Sequence, residues 1–144
     1  MSYKGKYQPT NPQKYRGDHS NIIYRSLWER KFMKYCDLNE NILEWGSEEI
    51  ALAYRSPIDD KIHRYYPDFY IKVKENSGEI KKCIIEIKPK KQSLIESRVA
   101  NARDRAVVAI NHAKWASAKA YCAQHKFTFR VITEDDLFRN GSRK

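Results

Sequence analysis

The sequence predicts an α/β domain (α+β in the stricter sense) with a core of order α-β-β-β-α-β, a mixed four-stranded sheet flanked by helices. Three observations predict it. A capping signature, Ser26-Leu-Trp-Glu29, opens a helical stripe. Two β-rich runs, Arg64 to Lys74 and Ile80 to Ile87, flank the turn-forming Asn76-Ser77-Gly78. A long helical pattern from Leu94 then leads into the alternating run Phe127 to Ile132. At 144 residues the chain is sized for one domain. A domain of that size buries about 70% of the surface its unfolded chain exposes.

Residues 1–20 form a basic, aromatic arm. Lys4, Lys6, Lys14 and Arg16 alternate with Tyr3, Tyr7 and Tyr15, and Pro9 and Pro12 discourage regular structure. Two readings stand side by side. In one, Lys14, Arg16 and their neighbours contact nucleic-acid phosphates while the tyrosines stack. In the other, the segment drapes over the domain. The folded domain is expected over 21–138, with a basic tail at 139–144.

The first helix carries Leu27, Trp28, Lys31, Phe32, Tyr35 and Leu38 as its stripe and ends near Asp37 to Asn41. On spacing alone, Glu29 is the third residue of the capping box. Short strands follow at Ile42–Trp45 and Glu49–Tyr54, and a turn at Ser56–Asp60 leads into the hairpin, so antiparallel strands follow one another as a meander. Centring the hairpin turn on Ser77 sets Phe69 opposite Ile85 and Asp68 opposite Glu86. Phe69, Ile71, Val73, Cys83, Ile85 and Ile87 then share a core face, while Asp68, Glu86 and Lys88 share the other. Pro89 ends the strand, having no N–H for a ladder. In the helical run Leu94–Gln124, Ile95, Val99, Ala102, Ala106, Ile110 and Ala113 form the apolar stripe, and the length of the run predicts a break between Asn101 and Asp104. The last strand, reached by a helical crossover, should lie parallel to a neighbour. Thr133-Glu-Asp-Asp136 then caps a short helix with Leu137 and Phe138.

The net charge is +10, from 28 Lys and Arg against 18 Asp and Glu. Such an excess points to a polyanionic partner. Nucleic acid is favoured over membrane because no apolar run approaches about 20 residues. Cys36, Cys83 and Cys122 are odd in number and widely spaced, which predicts reduced thiols in a cytoplasmic setting. Neither a CxxC nor an HxxxH pattern occurs, His112 and His125 lack partners at ligand spacing, and the basic N-terminus precedes no apolar core of a signal peptide.

Directly opposed side chains on a hairpin sit about 5 Å apart at Cβ. Asp68 and Glu86 are therefore placed to share one cation, and oxygen ligands select Mg²⁺ or Mn²⁺. Lys88, on the same face, is an ammonium that can hold a scissile phosphate or orient an attacking water. An isolated Glu-x-Lys is more often a surface ion pair. The combination of Pro67-Asp68, the matched register, the preceding helix and the basic chain favours nuclease chemistry.

Pro67-Asp68 and Glu86-Ile87-Lys88 resemble the defining motif of the PD-(D/E)xK nuclease superfamily. That resemblance implies a restriction-endonuclease-like core, Asp68, Glu86 and Lys88 as catalytic residues, and a metal-site glutamate on the first helix at the position of Glu29. Lys14-Tyr-Arg-Gly-Asp18, Tyr24-Arg-Ser-Leu-Trp-Glu29, Glu44-Trp-Gly-Ser-Glu48, Glu86-Ile-Lys-Pro-Lys-Lys91 and Ile132-Thr-Glu-Asp135 are similar to the head completion nuclease family of T-even-type tailed phages. This likeness covers nearly the whole chain. It implies a Mg²⁺-dependent endonuclease (Mn²⁺ substituting) on double-stranded DNA, with head, portal or neck proteins as partners. Its action falls in the host cytoplasm after packaging and before tail joining, with retention in the virion left open. A non-enzymatic head plug and a junction-resolving nuclease are the alternatives. The first helix and the motif are also similar to the TnsA-like transposase endonuclease, whose carboxy-terminal DNA-binding domain is not expected here because the fourth strand falls near the end of the sequence. Arg25, Lys90, Lys91 and Gln92 lie close enough to the motif to touch phosphate.

Overall fold

A computed structural model describes residues 4–88 and 101–133. In chain order the elements are β1 (Gly5–Tyr7), a 3-10 turn at Pro12–Lys14, β2 (Ile22–Tyr24), α1 (Leu27–Leu38), β3 (Ile42–Ser47) and β4 (Leu52–Arg55). They continue as β5 (Ile62–Tyr65), β6 (Phe69–Lys74), β7 (Ile80–Ile87), α2 (Ala102–His125) and β8 (Thr128–Ile132). The main sheet has the order β3-β6-β7-β8. Its first three strands are antiparallel and β8 is parallel to β7, so the sheet is mixed and four-stranded, the expected class.

The β6–β7 hairpin has the register that its turn dictates. Phe69 faces Ile85, Ile71 faces Cys83 and Val73 faces Lys81. Gly78 adopts φ 90°, and Glu75 and Glu79 close the loop through an N–H···O bond of 2.8 Å. The expected core face is buried under α1, where Phe32 meets Phe69 at 4.7 Å between ring centroids and Met33 and Cys36 are fully enclosed. Leu27 and Leu38, expected in the helical stripe, instead sit exposed at the first and last helical positions. The opposite sheet face is buried as well. Tyr70 and Ile84 are covered there, Tyr70 meets Phe127, and α2 contributes Ala118, Tyr121 and Cys122 to that side. The polar residues Asp68, Glu86 and Lys88 therefore occupy only one end of that face. A strand buried on both faces needs a continuous apolar run, and Cys83-Ile84-Ile85 supplies it.

The meander needs one correction. β4 and β5 pair only with each other, Leu52 with Tyr65 and Arg55 with Ile62, and this hairpin packs on α2 rather than joining the main sheet. The expected strand Arg64–Lys74 is thus two strands, broken at Tyr66-Pro67-Asp68. Pro67 cannot donate to a ladder and holds the preceding residue extended. Helix α2 begins at Ala102, with Asn101 Oδ1 accepting the N–H of Asp104 at 2.8 Å, and the part of the expected helical run before Asn101 lies outside the described residues. Ile95, Val99, the short helix at Leu137 and Phe138, and the tail 139–144 lie outside the described residues.

Residues 4–15 are built into the body, in keeping with the draped reading. Buried Asp37 accepts hydrogen bonds from Tyr7 Oη (2.7 Å), Thr10 N (2.7 Å) and Asn11 N (2.9 Å). Tyr15 is buried edge-on against Trp45. Cys36, Cys83 and Cys122 are free and buried. Among the described residues, no helix is long and apolar enough to cross a membrane.

Candidate active site

The break at Pro67 delivers Asp68 to the end of β6, one step beyond the Phe69–Ile85 pair and opposite Glu86. Two backbone bonds fix it. The carbonyl of Asp68 accepts from Glu48 N at 3.1 Å, and its Oδ2 accepts from Ile87 N at 2.8 Å. Asp68 and Glu86 are close enough that the charge of each bears on the protonation of the other. Burial raises the Asp68 pKa first and the charge on Glu86 raises it further, to about 8. Glu86 is also raised by burial, with partial relief from its hydrogen bonds to Asp68 and Tyr65 and from the charge on Lys114. Tyr65 donates its hydroxyl to Glu86, and burial beside that carboxylate holds the phenol well above its ordinary range.

Lys88 follows on β7. Its backbone N–H donates to Ile132 O at 2.8 Å, tying it to β8. Its side chain is buried, and its ammonium lies 4.8 Å from the centre of the Trp115 ring on α2. Asp68, Glu86 and Lys88 line one cleft of about 370 Å³, with Glu48, Arg64, Tyr66, Asn111, Lys114 and Trp115 on its other walls.

Glu29 caps the start of α1 and is not among the residues that line the cleft. Its N–H donates to Ser26 Oγ at 3.1 Å, the capping bond, and its own Oε1 accepts from Arg25 N at 3.1 Å. The second bond reaches one residue further back than a capping box requires. Burial raises its pKa, the Arg25 N–H opposes that, and the charges on Asp68 and Glu48 raise it again, so it stands within electrostatic reach of the pair. Arg25 is ion-paired with Glu48 through Nη1 at the exposed rim. Arg16 lies with its guanidinium 5.3 Å from the Tyr70 ring centre. Lys14 points inward: its ammonium donates to the carbonyls of Cys36 (2.7 Å), Asp37 (2.9 Å) and Asn39 (2.9 Å), which occupies all three of its protons at the end of α1. That geometry leaves no proton for phosphate. Lys90, Lys91 and Gln92 lie outside the described residues.

Among the described residues, no three carboxylate, imidazole or thiol groups stand together as a ready-made metal site. The pair Asp68–Glu86 nevertheless suits a hard dication. It offers half-buried oxygen donors whose negative charges oppose each other, and Mg²⁺ binds through one or two carboxylates with water and phosphate completing its shell. Sequence reasoning missed Glu48, Tyr65, Lys114 and Trp115 as cleft residues. Glu48 follows Ser47, the partner of Phe69, so the β3–β6 register places it beside Asp68. That register spans a chain separation no local pattern encodes. Tyr65 lies three residues before Asp68, and Lys114 and Trp115 depend on how α2 crosses the sheet.

The family of TnsA-like endonuclease N-terminal domains matches residues 39–134, a span that begins just after α1 and takes in Asp68, Glu86 and Lys88. Over 146 aligned residues the chain is 36% identical to the head completion nuclease of Enterobacteria phage T4, with 95% of each protein covered. A likeness of that extent runs through the N-terminal segment and α1 as well as the sheet. The chain therefore belongs to the TnsA-like endonuclease family, and shares its family with the head completion nuclease of phage T4.

Proposed function

We propose that this protein is a metal-dependent DNA endonuclease that acts in phage head completion, processing DNA after packaging and before head and tail join. The observation that carries the reading is the half-buried Asp68–Glu86 pair lining an open cleft, with the buried side chain of Lys88, the residue directly after β7, lining the same cleft. A purely structural protein gains nothing from two half-buried carboxyl groups that raise each other's protonation. The basic chain, at +10, and the family supply the polyanionic substrate, double-stranded DNA. The name of the phage T4 relative supports the setting of head completion, and head, portal or neck proteins are the partners we assign to it.

Asp68 and Glu86 would hold a Mg²⁺ ion, or Mn²⁺ in its place, and Glu29 is assigned to the same ion, directly or through a water. Bound there, the ion supplies charge for the phosphate oxygens and lowers the pKa of a water. The Ile87 N–H fixes one oxygen of Asp68 and the Tyr65 hydroxyl fixes Glu86, so neither carboxyl group needs to reorient during the reaction. Lys88, steadied by the Trp115 ring, donates to a non-bridging oxygen of the scissile phosphate as charge builds there. Arg25, Lys90, Lys91, Gln92 and Arg16 are assigned to flanking phosphates. The test is cleavage of linear and supercoiled duplex DNA with Mg²⁺, Mn²⁺ or EDTA, using wild type, Asp68→Asn and Lys88→Ala, each verified as folded by circular dichroism. We expect cutting that needs the metal and is lost in both variants. Wild type that cuts no DNA, with phage infectivity unaffected by either substitution, would instead indicate a structural head protein.

A further inference from the structure

Lys114 stands in the cleft with no role in the site described above. Lys114 and Trp115 lie three and four residues after Asn111 on α2, and all three line the cleft that holds the carboxylate pair. The Lys114 ammonium lies 5.6 Å from the centre of the Tyr65 ring and 6.0 Å from that of Tyr54, both of them buried. These rings fix where the charge sits without neutralising it. Among the described residues Lys114 makes no ion pair within 4.0 Å, whereas Arg25, Arg55 and Lys81 each have one. Its charge is nevertheless felt at Glu86. A cation held at a defined point, without an anionic partner in contact and facing an open cleft, is arranged to receive an anion.

Building on the nuclease reading, we propose that Lys114 is a second phosphate-binding side chain of the active site, holding a DNA backbone phosphate from the α2 wall while Lys88 holds the scissile one. Tyr65 links the two functions, since its ring supports Lys114 and its hydroxyl holds Glu86. The competing account is local charge balance, in which Lys114 serves only to offset Glu86. A phosphate contact releases a counterion on binding, whereas an internal charge balance does not. The salt dependence of DNA affinity therefore separates the two.

The experiment measures binding of a labelled duplex in EDTA by Asp68→Asn protein, which cannot cut, across a KCl titration. The same background then carries Lys114→Met, which keeps the aliphatic stem against the tyrosines, or Lys114→Arg, which keeps the charge. The proposal expects the slope of log affinity against log salt to shrink by about one in Lys114→Met, with the loss greatest at low salt, and to be restored in Lys114→Arg. With Asp68 intact, Lys114→Met should raise KM for DNA more than it lowers kcat. If slope and affinity of Lys114→Met match the parent while the parent binds and wild type cuts, the proposal fails and the nuclease reading stands. If the parent does not bind and wild type does not cut, both fall together.

Discussion

Asp68 has its chemistry because the chain stops being a strand at Pro67 and resumes at Phe69, leaving a carboxyl group half-buried beside Glu86. The folded state keeps a proton there that the unfolded chain releases at the ordinary carboxylate value. This contribution to stability is therefore complete at low pH and is lost as pH rises through about 8. Thermal unfolding of wild type in EDTA should fall, relative to Asp68→Asn, as pH climbs through that window, and Mg²⁺ should restore the upper end. A wild type and variant that run parallel in EDTA would show that the pair carries no such strain. Lys88→Ala should slow cleavage by about 10²–10³-fold in single-turnover assays, the loss typical of one preorganised donor. Lys14→Met should instead cost about 1.5–3 kcal/mol of stability in denaturant titrations and leave the salt slope of DNA binding unchanged, because its ammonium holds three carbonyls of this protein. The contrast shows how far single residues were legible. Asp68, Glu86 and Lys88 announce themselves through spacing on a hairpin whose turn is local. Lys14 and Lys114 carry the same charge on the same side-chain type, and only the tertiary surroundings assign one to a helix end and the other to the cleft.

At the level of elements, legibility follows the range over which each is specified. The β6–β7 hairpin came out in register because a three-residue turn with Gly78 fixes every pair beyond it. The start of α1 came out because Ser26 and Glu29 state it locally. The separate β4–β5 hairpin did not, since its strands have ordinary β composition and only pairing distinguishes them from sheet strands. The segment 4–15 was equally opaque, held as it is by one buried side chain 26 to 30 residues away. Asp37→Ala removes the acceptor of three donors at once and should destabilise by about 3 kcal/mol. Limited proteolysis should then cut first within residues 7–14, and a segment that stays protected would mean that Tyr15 and β1 suffice to hold it.

For the molecule as a whole, α1 packs on one side of the sheet and α2 on the other, and the cleft at the sheet's end takes its helical wall from α2 through Asn111, Lys114 and Trp115. The chain carries a net charge of +10. Cleavage should accordingly weaken steeply with ionic strength, and kcat/KM that holds steady from about 50 to 200 mM salt would contradict a DNA-tracking surface. The overall class was readable from the order of patterned segments, while the crossing of α2 over the sheet was not, because helix packing angles leave no trace in periodicity. The parallel placement of β8 has a temporal consequence. Lys88 rests through its backbone on Ile132, and the α2 wall lies between them in sequence. A nascent chain halted before Thr128 already carries both carboxylates and the lysine, but lacks the strand that seats the lysine and anchors the wall. Parallel pairing across a long crossover is among the slower contacts to form. On the nuclease reading proposed above, cutting is expected only once β8 has been made and has paired, and chains ending before Thr128 should be inactive in a cleavage assay.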